Sequence, residues 1–355
     1  MKATKTGWRL VRTDHSAWWT TPLIPVLILI ATMILTSGLI LWSKANPFQA
    51  YYYLLIDPLT SRTGVLEVLV SATPLLLTGA AVTFAFSTGY FNIGAEGQLY
   101  AGAIAAAGLG MVMDNFPPAL AIPIMIIGGF AAGMLWALVP ALLKVRNGVD
   151  EVVTTLLSNS IMAYIVSAIL NGPWRNPQSG WPQSPDIAEA AHFFKLLPRA
   201  RVHFGFIIAL VVILVLWFIM TRTSFGMKMR AVGLGKPAAE FAGIGVKKTM
   251  LISALISGGI AGIAGVSEVA GIQYHLIGAL SAGYGYTGII VATLGSLNAI
   301  GVAIAAFFFG LVNVGAQSLS GALRVPIFLS NIIQATMLMM ALGMFLLKRY
   351  RIRRG

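Results

Sequence analysis

The sequence predicts an all-α, polytopic membrane protein with about ten transmembrane helices, and composition and apolar run length are the observations behind this prediction. Hydrophobic residues make up 57% of the 355 residues and charged residues only 10%, and the mean hydropathy is +0.84. Soluble globular domains lie far from these values. Apolar runs of about 20 residues, enough to cross roughly 30 Å of hydrocarbon, recur along the whole chain. We therefore treat residues 1–355 as one transmembrane domain.

Ten segments have the length and composition of membrane spans. The third and eighth are the least regular, because they are rich in small residues and follow clusters of glycine and tyrosine. The predicted spans are 22–43, 64–87, 93–113, 117–143, 151–171, 203–221, 249–271, 279–297, 299–319 and 326–347.

The distribution of basic residues predicts the orientation. With a cytoplasmic N-terminus, 17 of the 24 Lys and Arg residues fall on the inner side, chiefly in the basic N-terminus 1–21, the loop 222–248 and the basic tail 348–355. The positive-inside rule therefore places both termini in the cytoplasm. The net charge of +13 is explained by these segments and by anionic lipid headgroups, so we predict no nucleic-acid partner. The apolar stretch Pro22–Trp42 is too long for a signal peptide and is interpreted as an uncleaved span.

The sequence indicates no catalytic or metal site. The chain has no cysteine and only four scattered histidines, which excludes a disulfide framework and cysteine-based metal sites. The patterns G-x-x-x-x-G-K-[ST], H-E-x-x-H and G-x-S-x-G are all missing. If ATP drives transport, the nucleotide must therefore bind to another polypeptide.

Two loops are unusually long. The outer loop 172–202 is rich in proline and contains Trp174 and Trp181, which suits either a lid or a docking surface for an external partner. The inner loop 222–248 contains "GKPAAEFAG", which predicts a short helix with Pro237 in its first turn and Gly243 at its C-terminal end. This helix either lies on the membrane surface or is presented to a partner.

Two glycine- and tyrosine-rich interruptions suggest internal symmetry. Spans two to five and seven to ten form two groups of opposite orientation, and each group is interrupted after its first span, by "GYFNIGAEG" at 89–97 and by "GYGYTG" at 283–288. Paired interruptions of this kind point to the translocation site in transporters with inverted repeats. We therefore predict an inverted repeat.

The first interruption carries unusual polar residues for an apolar chain. Asn92 is a candidate N-cap for a helix whose first turn holds Glu96, where the positive helix end favours a carboxylate. In a different interpretation, Glu96 lies deeper and faces a cavity. Asn92 and Glu96 can share a helical face at i, i+4, whereas Gln98 cannot fully share it.

Other polar residues within spans allow the same two interpretations. Asp150 and Glu151 fit the first turn of span five. Asn159 is a cavity candidate, although an interhelical hydrogen bond is the commoner role of such a residue. Glu268 lies near the outer end of span seven and faces either the path or the membrane interface.

Three segments of the sequence carry a family resemblance. "GYFNIGAEGQLYAGAIAA", "NGVDEVVTTLLSNSIMAY" and "MRAVGLGKPAAEFAGIGVKK" resemble the permease subunits of ABC importers of the branched-chain amino acid, ribose and nucleoside superfamily. The resemblance runs from about Leu66 to Leu347. N-I-G-A-E-G-Q together with D-E-V-V-T-T-L is similar to the nucleoside branch.

The resemblance implies a ten-span type II importer fold in a bacterial plasma (inner) membrane. It also implies three partners besides the lipid bilayer: an ABC ATPase that uses ATP and Mg²⁺, a second permease copy or a different permease chain, and an extracytoplasmic binding protein that delivers substrate. The chain itself would bind no cofactor. Coupling to the ATPase would lie in segment 230–247, and the residues expected there are Arg230, Lys236, Pro237, Glu240 and Phe241.

A nucleoside combines an aromatic ring with a hydroxylated sugar, so its path needs aromatic faces and hydrogen-bonding groups. The residues that meet this need are Asn92, Glu96, Gln98, Asn159, Glu268, Tyr284 and Tyr286. Three alternatives stay open. They are a permease for a sugar or a branched-chain amino acid, an ion-coupled secondary transporter that uses Glu96 or Glu268 as ion carrier, and a non-transporting membrane scaffold.

Overall fold

The computed structural model describes residues 8–12, 20–326, 328–329, 331–333, 335–336, 339–340 and 350–354. Helices account for nearly all regular structure in these ranges. The helices are α1 (Thr20–Trp42), α2 (Pro47–Leu55), α3 (Asp57–Thr60), α4 (Arg62–Phe86), α5 (Ala95–Gly110), α6 (Pro118–Asn147), α7 (Glu151–Asn171), α8 (Phe204–Arg222), α9 (Ser224–Leu234), α10 (Lys236–Phe241), α11 (Val246–Glu268), α12 (Tyr284–Leu294) and α13 (Ala299–Leu323). A 3₁₀ turn (Glu189–Ala191), a π-helical turn (Val269–Gln273) and two strands, β1 (Trp8–Arg12) and β2 (Tyr350–Arg354), complete the elements.

Six helices in the described part of the chain are long and apolar enough to cross a membrane. They are α4, α6, α7, α8, α11 with its π-helical turn, and α13. Residues Ile30–Trp42 of α1 and all of α12 form shorter apolar helices. The all-helical membrane architecture is therefore confirmed, whereas the count of ten spans and the inverted repeat remain predictions. Most of the predicted span 326–347 lies outside the described residues.

The chain divides into two compact units, Met1–Ser61 with Val312–Gly355 and Arg62–Leu311. In the first unit the Tyr51 hydroxyl of α2 donates to the Met33 carbonyl of α1 at 2.6 Å. β1 and β2 pair antiparallel in the same unit. The basic composition of the two termini does not predict this pairing.

The second unit is organised around α11, which packs against α4, α5 and α6. Small residues line these contacts: a Cβ atom at Gly262 would meet the Gly129 carbonyl of α6, and one at Gly265 would meet the Leu99 carbonyl of α5. Lipid provides little hydrophobic force between helices, so close backbone approach of this kind stabilises their packing. The glycine-rich stretches therefore serve packing, as their composition indicates.

Candidate functional site

The two interrupted segments meet inside the second unit. The first turn of α5 contains Glu96, as predicted, and the first turn of α12 contains Gly285. The Gly285 amide donates to Glu96 Oε2 at 2.7 Å. A Cβ atom at Gly285 would collide with the Glu96 backbone, so only glycine allows this approach. Two short helices thus join N-terminus to N-terminus at a buried carboxylate, an arrangement typical of binding sites in transporters with discontinuous helices.

Ser281 completes the N-terminal end of α12. Its Oγ accepts hydrogen bonds from the amides of Gly283 (3.1 Å) and Tyr284 (2.9 Å), and its side chain is hydrogen-bonded to Glu96. The Tyr100 hydroxyl accepts from the Ser281 amide at 3.1 Å and donates to the Gly278 carbonyl at 2.8 Å. Because the amides of a helix N-terminus are electron-poor, they stabilise the Glu96 carboxylate.

Asn92 and Gln98 form a reciprocal amide pair at the start of α5. Asn92 Nδ2 donates to Gln98 Oε1 at 2.8 Å, and Gln98 Nε2 donates to Asn92 Oδ1 at 3.1 Å. Asn92 Nδ2 also donates to Ser257 Oγ of α11, which in turn donates to the Ala81 carbonyl of α4. The network therefore connects three helices and is fully buried.

The interpretation of Asn92 as the helix N-cap is wrong. Gly94 occupies that position without a side-chain cap, and the Asn92 side chain accepts from the Gly94 amide at 3.0 Å. Because Asn92 precedes the helix, the i, i+4 relation to Glu96 does not apply, and its partner is Gln98 instead.

Asn159 of α7 has the interhelical role. Its Oδ1 accepts from the Gly97 amide at 2.9 Å, and its Nδ2 donates to the Ile93 carbonyl at 2.9 Å and to the Tyr286 hydroxyl at 3.2 Å. Asn159 thus binds both interruptions at once. Tyr286 is 43% exposed, so its ring is available beside this junction.

Glu268 differs from Glu96 in having no hydrogen-bond partner among the residues that the structure describes. It ends α11, where the helix widens into the π-helical turn, and it is only 5% exposed. Arg201 lies within electrostatic range but donates to Glu67 Oε2 at 3.1 Å. Tyr284 is within electrostatic range of both Glu268 and Glu96, which places Glu268 near the junction of α5 and α12.

The first turn of α7 agrees with the sequence prediction. Asp150 is the N-cap and accepts from the Val152 amide at 2.8 Å. Glu151 is buried and paired with Lys144 at the C-terminal end of α6. Sequence reasoning missed Ser257, Ser281 and Tyr100, because small or aromatic residues within apolar runs give no polar signal.

The inner loop contains two helices, of which the sequence predicts only α10. Pro237 lies in the first turn of α10, and Gly243 follows its end with a φ of 76°. The Gly243 amide donates to the Glu240 carbonyl and the Ile244 amide to the Ala239 carbonyl, both at 2.9 Å, which is a Schellman motif. The predicted helix and its glycine cap are confirmed.

α10 has one buried and one exposed face. Ala239 packs in an apolar cluster with Val232 of α9, Val246 of α11 and Tyr90, which precedes α5. Phe241, in contrast, is 98% exposed. The other predicted coupling residues are Arg230, Pro237 and Glu240, which are exposed, and Lys236, which is half-buried. An open depression of 480 Å³ beside them is lined by Glu240, Gly243, Ile244, Gly245, Val246, Lys247 and Lys248.

The outer loop pairs with the segment that leads into α12. The Ser184 amide donates to the Leu276 carbonyl at 2.9 Å, and the Ile187 amide donates to the Tyr274 carbonyl at 2.8 Å. Trp181 is exposed on this loop. The pairing fits a lid and the exposed tryptophan fits a docking surface, so both interpretations stay open. Among the residues described, no three His, Asp or Glu side chains form a group that could hold a metal ion.

Comparison with known proteins identifies, along most of the chain, the same permease family that the sequence resembles. The family model described as branched-chain amino acid transport system / permease component matches residues 64–342. The glucose ABC transporter permease protein TsgB13 of Haloferax volcanii is 34% identical over 338 residues, which cover 92% of this chain and 89% of that protein.

Two further relatives are named for nucleosides. The guanosine ABC transporter permease protein NupP of Bacillus subtilis is 36% identical, with 73% of this chain and 75% of that protein covered. The nucleoside ABC transporter permease protein NupB of Lactococcus lactis subsp. cremoris is 29% identical, with 84% of each covered. The chain therefore belongs to the branched-chain amino acid transport system permease family and is a membrane-embedded ABC transporter permease.

Proposed function

We propose that this chain is the permease subunit of an ATP-driven importer of nucleosides in a bacterial plasma membrane. The junction of α5 and α12 carries the proposal, because two helix N-termini and the exposed Tyr286 ring come together there, held in place by the buried amides of Asn92, Gln98 and Asn159. An aromatic ring and hydrogen-bonding side chains suit a nucleobase and its sugar.

The relatives support a solute that contains a sugar. Guanosine and nucleosides appear in the names of two relatives and glucose in that of a third. These solutes share a ring that carries several hydroxyl groups. The nucleoside assignment also rests on N-I-G-A-E-G-Q at 92–98 and D-E-V-V-T-T-L at 150–156. Glucose is the second candidate, because the glucose permease matches more of this chain than the guanosine permease does.

Coupling to ATP is proposed to act through α10. Phe241 and Glu240 are exposed to a partner, while Ala239 on the other face packs in the cluster that contains Tyr90. Because Tyr90 leads directly into Asn92 and α5, a displacement of α10 reaches the junction through contiguous packing. The partners would be a separate ATPase that binds ATP and Mg²⁺, a second permease that is identical or different, and an extracytoplasmic binding protein.

Uptake of radiolabelled guanosine by cells that express the whole transport operon tests this proposal, with glucose, ribose and leucine as competitors. We expect ATP-dependent guanosine uptake that is lost in the variant Glu240→Arg with Phe241→Ala, while the protein still reaches the membrane. The matched control is Asp114→Arg with Phe116→Ala, which changes an exposed acid and an exposed phenylalanine in the loop between α5 and α6.

Three results would contradict parts of the proposal. Uptake that persists in the α10 variant would exclude coupling through this helix. Uptake of glucose, ribose or leucine without guanosine would exclude the nucleoside assignment. Loss of uptake in the control variant as well would show that the effect is not specific to α10.

A further inference from the structure

The two buried glutamates near the junction have different surroundings. Glu96 accepts a hydrogen bond from the Gly285 amide and is hydrogen-bonded to Ser281. The carboxyl group of Glu268 is buried to a similar degree, yet it has no hydrogen bond to any residue in the part of the chain that the structure describes. Buried polar groups normally have partners, because leaving one without a hydrogen bond costs free energy. The Glu268 carboxyl group, buried at 5% exposure, is therefore free to form hydrogen bonds with a ligand.

The backbone at Glu268 is also unusual. α11 ends at this residue, and the chain continues as a single π-helical turn over Val269–Gln273. Short π-helical segments occur frequently at functional sites. The turn leads into the segment that pairs with the outer loop and then into α12. Glu268 therefore lies where α11 passes into the segment that connects it to α12.

The charges around Glu268 favour a neutral ligand. The Arg201 guanidinium lies within electrostatic range of Glu268, and its positive charge weakens the attraction that the Glu268 carboxyl group would have for a cation. Arg201 itself is bound to Glu67, so it leaves the oxygens of Glu268 free. A hydroxyl group can both donate to a carboxyl group and accept from one, and it brings no charge. The Tyr284 hydroxyl is also in electrostatic range of Glu268, and it can donate to or accept from a sugar hydroxyl.

We propose that the Glu268 carboxyl group binds hydroxyl groups on the sugar ring of the transported solute and so determines specificity for hydroxylated sugars. This inference rests on the proposed function, because it takes the solute to contain a sugar. It gives Glu268 a direct role at the substrate and gives Glu96 a role in joining α5 to α12.

A cycle that combines a protein change with a substrate change tests the role of Glu268. The specificity constant kcat/KM for uptake is measured for guanosine, 2′-deoxyguanosine and 3′-deoxyguanosine, with the whole transport complex carrying wild-type permease or Glu268→Gln. We expect Glu268→Gln to lower guanosine uptake about tenfold or more, and to lower uptake of at least one deoxynucleoside by no more than about twofold. Selection by the binding protein cancels from the ratio of wild-type to Glu268→Gln uptake, because both permeases receive each nucleoside from the same binding protein.

The matched control is Glu151→Gln, which changes a second buried glutamate that already has a partner in Lys144. Its effect is expected to be equal for the three nucleosides. An equal loss for all three with Glu268→Gln would overturn the proposal. If that variant fails to reach the membrane, Glu268→Asp, which keeps the carboxyl group on a shorter side chain, replaces it in the same cycle with the same criteria.

The choice of solute separates this inference from the proposed function. If the wild-type complex carries glucose and no guanosine, the nucleoside assignment fails, and the cycle is run with glucose and its single-deoxy analogues. A loss of glucose uptake in Glu268→Gln that is absent for one deoxy analogue then supports the inference. Equal losses for glucose and all its deoxy analogues overturn it. A complex that carries neither solute overturns both.

Discussion

At the scale of single residues, the junction depends on side chains that bridge helices. Ser257 is the clearest case, since it connects Asn92 to the Ala81 carbonyl. We expect Ser257→Ala to lower the free energy of unfolding by about 1–3 kcal/mol, because it leaves polar groups of both neighbours without this partner in a buried place. Thermal unfolding of the purified permease measures the effect.

Ser253 provides the matched control for this prediction. It lies one turn earlier on α11, is equally buried, and its hydroxyl has no hydrogen-bond partner in the described part of the chain. Ser253→Ala is therefore expected to leave the Tm unchanged or slightly higher. Equal Tm losses in the two variants would show that the Asn92 network contributes nothing beyond packing.

Gly285 is a second residue on which the junction depends. Gly285→Ala places a Cβ atom against the Glu96 backbone, so we expect it to separate α12 from α5 and to abolish most uptake. Gly278→Ala is the control, because a Cβ atom at Gly278 would meet nothing within 4 Å. Normal uptake by Gly285→Ala, at equal membrane levels, would contradict the importance of this contact.

The structure of the first interruption is only partly predictable from the sequence. Glycine and amide residues between apolar runs correctly placed Glu96 in a first helical turn. The predicted N-cap role of Asn92 is wrong. N-cap preference is a local rule, whereas the Asn92 amide is hydrogen-bonded to Gln98 and to Ser257 from another helix. A partner that is 165 residues away in sequence leaves no local pattern.

At the scale of helices, α8 begins with a titratable cap. His203 lies just before α8 and its Nδ1 accepts from the Gly205 amide at 3.1 Å. Burial, and secondly the positive charge of Arg201, lower the pKa of His203 to about 4. Since the unfolded chain binds the proton more tightly, near its ordinary pKa of 6.5, stability falls as the pH falls from about 6.5 towards 4.

His203→Asn tests this effect, because asparagine keeps an N-cap acceptor and does not titrate. We expect the Tm of the wild-type permease to drop more between pH 7.5 and pH 5 than the Tm of the variant. An identical drop in both proteins would mean that His203 does not contribute to the pH dependence.

The inner loop shows which helices a sequence can and cannot predict. α10 has proline in its first turn and glycine after its last, which are strong local signals. α9 was missed, because Gly226 and Gly233 lower its helix propensity. Both glycines are needed where the chain approaches other backbone: a Cβ atom at Gly233 would collide with the Ser87 carbonyl at the end of α4. This requirement comes from packing and cannot be seen locally.

At the scale of the whole molecule, composition predicted a helical membrane protein and the paired interruptions predicted a site where they meet. The contact between Glu96 and Gly285 brings those interruptions together. The symmetry itself stays a prediction, since α5 and α12 are short and most of the tenth predicted span lies outside the described residues. Orientation in the membrane is likewise a prediction from charge.

We expect ATP that is used by a partner to drive solute uptake through this permease. The most direct measurement is guanosine accumulation in proteoliposomes that contain the whole complex, with and without Mg²⁺ and ATP on the side of α10, and with and without an uncoupler. We expect accumulation that requires Mg²⁺ and ATP and is unaffected by the uncoupler. Accumulation without ATP that collapses when the uncoupler is added would contradict the claim and identify an ion-coupled transporter instead.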